Sequence, residues 1–158
     1  SFLLFYYLRR MPKTWTRLAT DGFTLDQLPG VAKELLKQGA DFTTWLFYGE
    51  MGSGKTTLIK YLVKELGLNT FSIVNEYREP GKDAVYHFDL FRLKNDVEAL
   101  DIGFDEYLTS GNVCLIEWPE KVESLLPATF FEVKIQHLNT ISREIYFRRH
   151  DGKETNRI

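Results

Sequence analysis

Gly49, Glu50, Met51, Gly52, Ser53, Gly54, Lys55 and Thr56 follow one another in the G-x-x-x-x-G-K-[ST] spacing of a phosphate-gripping loop. Its chemistry follows from the residue types. Glycines let the backbone curl so that successive N–H groups and the positive end of the next helix converge on phosphate oxygens. A lysine after the last glycine reaches the β- and γ-phosphates, and the hydroxyl beside it is placed to ligate magnesium. Lys55 and Thr56 hold those positions and Thr57 follows them. A chance glycine turn ahead of a helix would demand neither lysine nor threonine, so the run is read as a nucleoside-triphosphate site.

Such a site also needs a carboxylate near the metal, usually at the end of a neighbouring buried strand. Glu117 directly follows the apolar residues 113–116, which would put its carboxylate at the carboxyl edge of a sheet. The alternative is an exposed strand-end glutamate, since this kind of strand more often ends in aspartate. Trp118 either caps the core or contacts the nucleotide. The run "YHFDLFRL" offers a second acid. Tyr86, Phe88, Leu90 and Leu93 can face the core while His87 and Asp89 point together to the other side. Asp89 would then orient the attacking water or help hold magnesium, or else form an ordinary His–Asp pair on a solvated face. Arg92 is a surface ion-pair partner or a phosphate-side cation.

The elements around these residues can be read from periodicity. "TTWLFYG" is a short continuous apolar run, as suits a central parallel strand buried on both faces, and the glycine loop comes directly after it. Leu58, Ile59, Leu62, Val63 and Leu66 then form one helical stripe that ends at Gly67. Upstream, residues 14–20 read as a half-buried edge strand. Thr24 and Gln27 have capping-box spacing ahead of a helix that stops at Gly39, weakened at its start by Pro29 and Gly30. "FSIVNEY" and "AVYHFDLFRL" are strand candidates joined by a turn. A helical stretch spans residues 94–108, "NVCLIEW" is a strand and "PEKVESLLP" a short helix. "FFEVKIQ" and "SREIYFR" alternate across "HLNT" as an antiparallel hairpin. Together they predict an α/β, P-loop NTPase-like three-layer fold with a mostly parallel central sheet and an antiparallel C-terminal hairpin.

At 158 residues the chain has room for one core and little for a separate substrate domain. A net charge of -2 and a pI near 5.9 give no cationic field for holding nucleic acid unaided. Cys114, the one cysteine, has no partner for a disulfide or metal cluster, which fits a reducing cytoplasm. The apolar part of "SFLLFYYLRR" is too short to span a membrane, and its arginines follow that part where a signal peptide has them ahead of it. Residues 1–10 are expected to be a cloning or start-site extension before Met11, with residues 11–158 a single P-loop domain.

In order along the chain, "GEMGSGKTT", "TFSIVNEY", "HFDLFRL", "DIGFDEYL" and "LIEWPE" resemble the TsaE family of small bacterial P-loop ATPases, over roughly residues 15–148 and including Arg143. The loop motif is common to many NTPases, whereas H-x-D-x-[FY]-R-L and I-E-W are far more specific. The resemblance implies ATP and magnesium as ligands and a part in making threonylcarbamoyladenosine on tRNA. It further implies association with TsaD-like and TsaB-like proteins that hold the tRNA, so that tRNA contact is indirect. By matching positions, Thr56 and Glu117 would hold magnesium, Asp89 with Lys55 would serve hydrolysis, and Trp118 would lie near the nucleotide. One departure is plain: Gly67 is followed by "LNTFSIV", without the several residues and Ser-Pro element usual in the family. A segment absent between Gly67 and Thr70 is expected there, and the place of Thr70 in the site stays open. Two other readings remain, a small-molecule kinase and a nucleotide-gated binding module with incidental turnover. A regulatory GTPase would carry an Asn-Lys-x-Asp element that this chain lacks.

Overall fold

The computed structural model describes residues 14–19, 21–70 and 76–151. The expected extension at residues 1–10 lies outside them, as does most of the strand expected at "FSIVNEY".

β1 (Thr16–Arg17) is a two-residue edge strand with both residues exposed. It is shorter and more exposed than the half-buried strand expected over 14–20; of that segment, Trp15 packs against the Arg148 guanidinium, 3.9 Å from its ring centroid. A 3-10 turn, Leu25–Gln27, leads into α1 (Leu28–Gln38). The Thr24 N–H donates to Gln27 Oε1 at 2.8 Å, the reciprocal half of the expected capping box. Pro29 sits in the first turn of α1, where its missing N–H costs nothing. β2 (Thr44–Tyr48) runs into the glycine loop, which leads to α2 (Lys55–Glu65).

After α2 the Gly67 N–H bonds the Lys64 carbonyl at 2.9 Å and the Leu68 N–H bonds the Val63 carbonyl at 3.2 Å, a nested helix stop. β3 (Asn69–Thr70) begins immediately. The connection between α2 and β3 is thus a tight cap. β4 (Glu76–Arg78) and β5 (Val85–Asp89) follow. The helical stretch splits at Gly103 into α3 (Asp96–Asp101) and α4 (Phe104–Leu108). β6 (Val113–Glu117) leads into a 3-10 segment, Pro119–Leu125, kinked at Val122. β7 (Phe130–His137) and β8 (Arg143–His150) form the expected antiparallel hairpin.

Among the described residues these strands make one sheet in the order β1-β8-β7-β2-β6-β5-β4-β3. Its middle, β7-β2-β6-β5, is parallel; the hairpin and β1 flank it antiparallel on one side and β4 with β3 on the other. Side chains alternate across it. Trp45, Phe47, Leu115 and Val133 meet Leu35 of α1 and Leu58, Ile59 and Leu62 of α2 on one face. Leu46, Phe88, Cys114 and Ile116 meet Ala99, Phe104 and Val122 on the other. Burying β2 on both sides is why its sequence is continuously apolar. It also fixes the carboxyl edge of the parallel strands, where the glycine loop, Glu117 and Asp89 emerge together.

Candidate functional site

The loop that follows β2 is shaped by two glycines in particular. A Cβ on Gly49 would stand 2.6 Å from the Ile135 carbonyl oxygen, so only glycine lets the loop leave so close to β7. Gly54, at φ 106°, turns the chain into α2 in a conformation that L side chains rarely adopt. Between them the Ser53 N–H bonds the Glu50 carbonyl at 3.0 Å. The Ser53 carbonyl in turn accepts Arg143 Nε–H at 3.0 Å from the closing hairpin, and the same guanidinium bonds the Ser142 carbonyl at 3.0 Å.

A cavity of about 290 Å³ opens over this loop. Glu50, Met51, Gly52, Gly54, Lys55, Thr56 and Thr57 form one wall; Asp89, Phe91, Glu117 and Trp118 form the other. The structure thus brings together almost every residue that sequence singled out. Gly49 and Ser53 do not line the cavity and shape the loop from behind.

Glu117 is 2% exposed, so the solvated-glutamate alternative does not hold. The Thr56 hydroxyl lies 2.9 Å from Oε1 and 3.1 Å from Oε2 of its carboxylate, and His87 Nε2 lies 2.7 Å from Oε2. His87 and Asp89 do share a sheet face, as alternation requires. That face is the one α2 covers, however, and His87 is buried at 6% exposure while Asp89, two residues on, is exposed at the strand end. The alternative of an ordinary His–Asp pair on a solvated face does not hold: His87 pairs with Glu117. Asp89 Oδ1 accepts the Phe91 N–H at 3.2 Å. Arg92 is exposed and does not line the cavity.

Lys55 is 5% exposed and bonds the Gly49 carbonyl. Its ammonium sits 3.7 Å from the centroid of the Trp118 ring, a cation–π contact. Burial holds its pKa below the ordinary lysine value, against the pull of Glu117, Glu120 and Asp89. The Tyr77 hydroxyl is pushed up, first by burial and then by the charge on Glu117. Trp118 is the one non-glycine residue among those described with positive φ, at 59°. Such a conformation costs roughly 1–2 kcal/mol and turns its ring back between Lys55 and Phe91, 5.1 Å from the latter's centroid. Trp118 both packs on the second core and lines the cavity, so neither alternative for it excludes the other.

The donors here are a hydroxyl and a carboxylate, the hard oxygen set that suits magnesium. An ammonium and backbone N–H groups beside them suit polyphosphate. Two residues that the sequence had singled out, Arg143 and His87, have partners that it did not indicate. Arg143 reaches a loop 90 residues away and His87 a carboxylate 30 residues away, and neither spacing forms a local pattern.

The family model described as threonylcarbamoyl adenosine biosynthesis protein TsaE matches residues 24–145. The chain belongs to the TsaE family. The TsaE protein of Bacillus subtilis is 36% identical over 105 residues, 63% of this chain and 65% of that protein. The TsaE of Haemophilus influenzae is 37% identical over 95 residues, 56% and 60% of the respective lengths. The chain thus spans somewhat under two thirds of these two curated relatives. The TsaE of Treponema pallidum is 32% identical over 121 residues, 73% of this chain and 86% of that one. Among solved structures, Bacillus subtilis YdiB superposes with a TM-score of 0.66 at 27% identity, covering 87% of this chain and 88% of its own. The region matched to TsaE includes the glycine loop, His87, Asp89, Glu117, Trp118 and Arg143.

Proposed function

We propose that this TsaE-family chain binds ATP with magnesium and hydrolyses it in the cytoplasm, supporting threonylcarbamoyladenosine formation on tRNA through TsaD-like and TsaB-like proteins. The pathway is that named by the family and by its curated relatives. The observation that carries the ATP reading is the Thr56 hydroxyl held on the buried Glu117 carboxylate at the floor of a cavity walled by the glycine loop.

Thr56 and Glu117 would hold the metal, which when bound neutralises charge on the phosphate oxygens. The loop's N–H groups cradle the phosphates, as the start of α2 makes them converge. Lys55 leaves the Gly49 carbonyl and the Trp118 face for the β- and γ-phosphates, an exchange that relieves the burial of an ammonium without a full counter-charge. Trp118, so released, can lie against the nucleotide. Asp89, exposed at the carboxyl end of β5 and opposite Glu117 in register, orients the attacking water. Turnover by the chain alone is slow and is coupled to the partners.

The test is phosphate release from ATP by the purified chain, alone and with TsaD and TsaB homologues plus tRNA, with Lys55→Ala as the blank. Stimulation by the complex that disappears in Lys55→Ala is expected. Brisk turnover indifferent to those proteins would sink the partner-coupled reading. A phosphorylated acceptor in place of free phosphate would make the chain a kinase, and nucleotide-dependent complex formation without stimulated release would make it a gated binding module.

A further inference from the structure

The reading of Thr56 and Glu117 leaves unexplained the one imidazole buried at their back. His87 is 6% exposed, its Nε2 lies 2.7 Å from Glu117 Oε2, and its Nδ1 is buried without a hydrogen-bond partner among the described residues. A position needed only to fill space would be served by an apolar side chain of similar size, with no ring nitrogen left unpaired. What His87 offers and an apolar residue does not is the Nε2 contact. An ionised carboxylate only accepts, so Nε2 carries the hydrogen.

The sheet register shows why the contact matters. Asp89 stands directly opposite Glu117 on the adjacent parallel strand, whereas His87 stands opposite Leu115 and reaches Glu117 diagonally. Two carboxylates side by side repel, and the flexible Glu117 side chain has several rotamers open to it. The imidazole fixes Oε2 from inside the sheet, which leaves Oε1 turned toward the Thr56 hydroxyl at 2.9 Å. Thr56 in turn directs its hydrogen at Glu117 and keeps its lone pairs for the cavity. We propose that His87 is a positioning residue for the metal–nucleotide complex, holding the Glu117 carboxylate in the one orientation that presents Thr56 and Glu117 together. It acts through Glu117 and touches neither metal nor nucleotide. The proposal rests on the metal reading of Thr56 and Glu117 given above.

The experiment compares His87→Gln with His87→Asn, two buried amides of which only the glutamine places its N–H near the position of Nε2. Calorimetric titration with a non-hydrolysable ATP analogue is run across a series of magnesium concentrations and again in EDTA, with thermal melts of each variant. The wild type should need magnesium for tight binding. His87→Asn should raise the magnesium concentration for half-maximal binding by about 10- to 100-fold, the usual range for losing a residue that orients a metal ligand. His87→Gln should recover most of that, and in a Glu117→Ala background the two variants should be equivalent. Equal magnesium dependence of His87→Gln and His87→Asn, or failure of both to fold, would make His87 a packing residue and overturn the proposal. A wild type whose binding ignores magnesium would instead remove the metal reading itself, and the proposal with it.

Discussion

Replacing Arg143 with alanine should damage the glycine loop from a distance. The guanidinium bonds three backbone carbonyls: Ser53 in the loop at 3.0 Å, Ser142 at 3.0 Å and Asn139 at 3.3 Å in the hairpin. Hydrogen bonds to a charged group contribute about 1.5–3 kcal/mol each, toward the low end where the group is half-exposed, and bonds that share one side chain do not add. A net loss of about 2 kcal/mol follows, which in a chain of this length lowers Tm by about 4–8 °C. The Ser53 carbonyl shares its peptide with Gly54, which lines the cavity, so part of that loss would be restored only when a bound nucleotide reorders the loop. If all of it had to be made good on binding, ATP would bind about 30-fold more weakly, which is the upper limit of the effect. Calorimetric titration with ATP and a thermal melt would measure both. Arg143→Lys keeps the charge and loses the forked geometry, so it should resemble the alanine variant more than the wild type. Full recovery by lysine would show that only positive charge matters there, and an unchanged affinity in Arg143→Ala would refute the clamp altogether.

Three further outcomes are expected. Asp89→Ala should bind ATP with near-normal affinity yet lose most phosphate release, by about 10²- to 10⁴-fold if it orients the water; normal turnover would remove it from the chemistry. Glu132→Ala strips the buried carboxylate that Arg148 Nε meets at 2.6 Å and should cost about 3–5 kcal/mol in urea unfolding, while a loss near zero would show the guanidinium well accommodated without it. Burial pushes the Cys114 thiol up to about 12 from 9.0. The unfolded thiol ionises first as pH rises, so stability should fall between about pH 9 and pH 12, by at most about 1.4 kcal/mol per unit. Cys114→Ala should show the shallower slope in pH-dependent denaturant melts, and equal slopes would mean the buried thiol ionises freely.

The elements with clear periodicity are legible in the order of residues alone. The apolar run of β2, the stripe of α2 and the alternation of β7 and β8 each encode burial on a definite face, and burial is what a hydrophobic pattern records. The split of the 94–108 helix falls at Gly103, whose φ of 78° is a local stop that hydrophobic periodicity does not record, and the kink at Val122, buried in the second core, has no spacing signal. His87 illustrates the limit within the site. Alternation places it on the same face as Asp89 but does not say that α2 covers that face at one residue and leaves it open two residues later.

The glycine loop is written in the chain itself, because G-x-x-x-x-G-K-[ST] between a buried strand and a helix is a local pattern of contiguous residues. The strand-end places of Glu117 and Asp89 are likewise local, since they follow from the apolar residues before them. Who meets whom across the sheet is a property of the folded molecule: Glu117 held between Thr56 and His87, Lys55 laid on Trp118, and Arg143 bonded to the carbonyl of Ser53. These contacts join residues 30 to 90 positions apart, and strand order and register are set by how the two cores close on the sheet, which no local spacing contains.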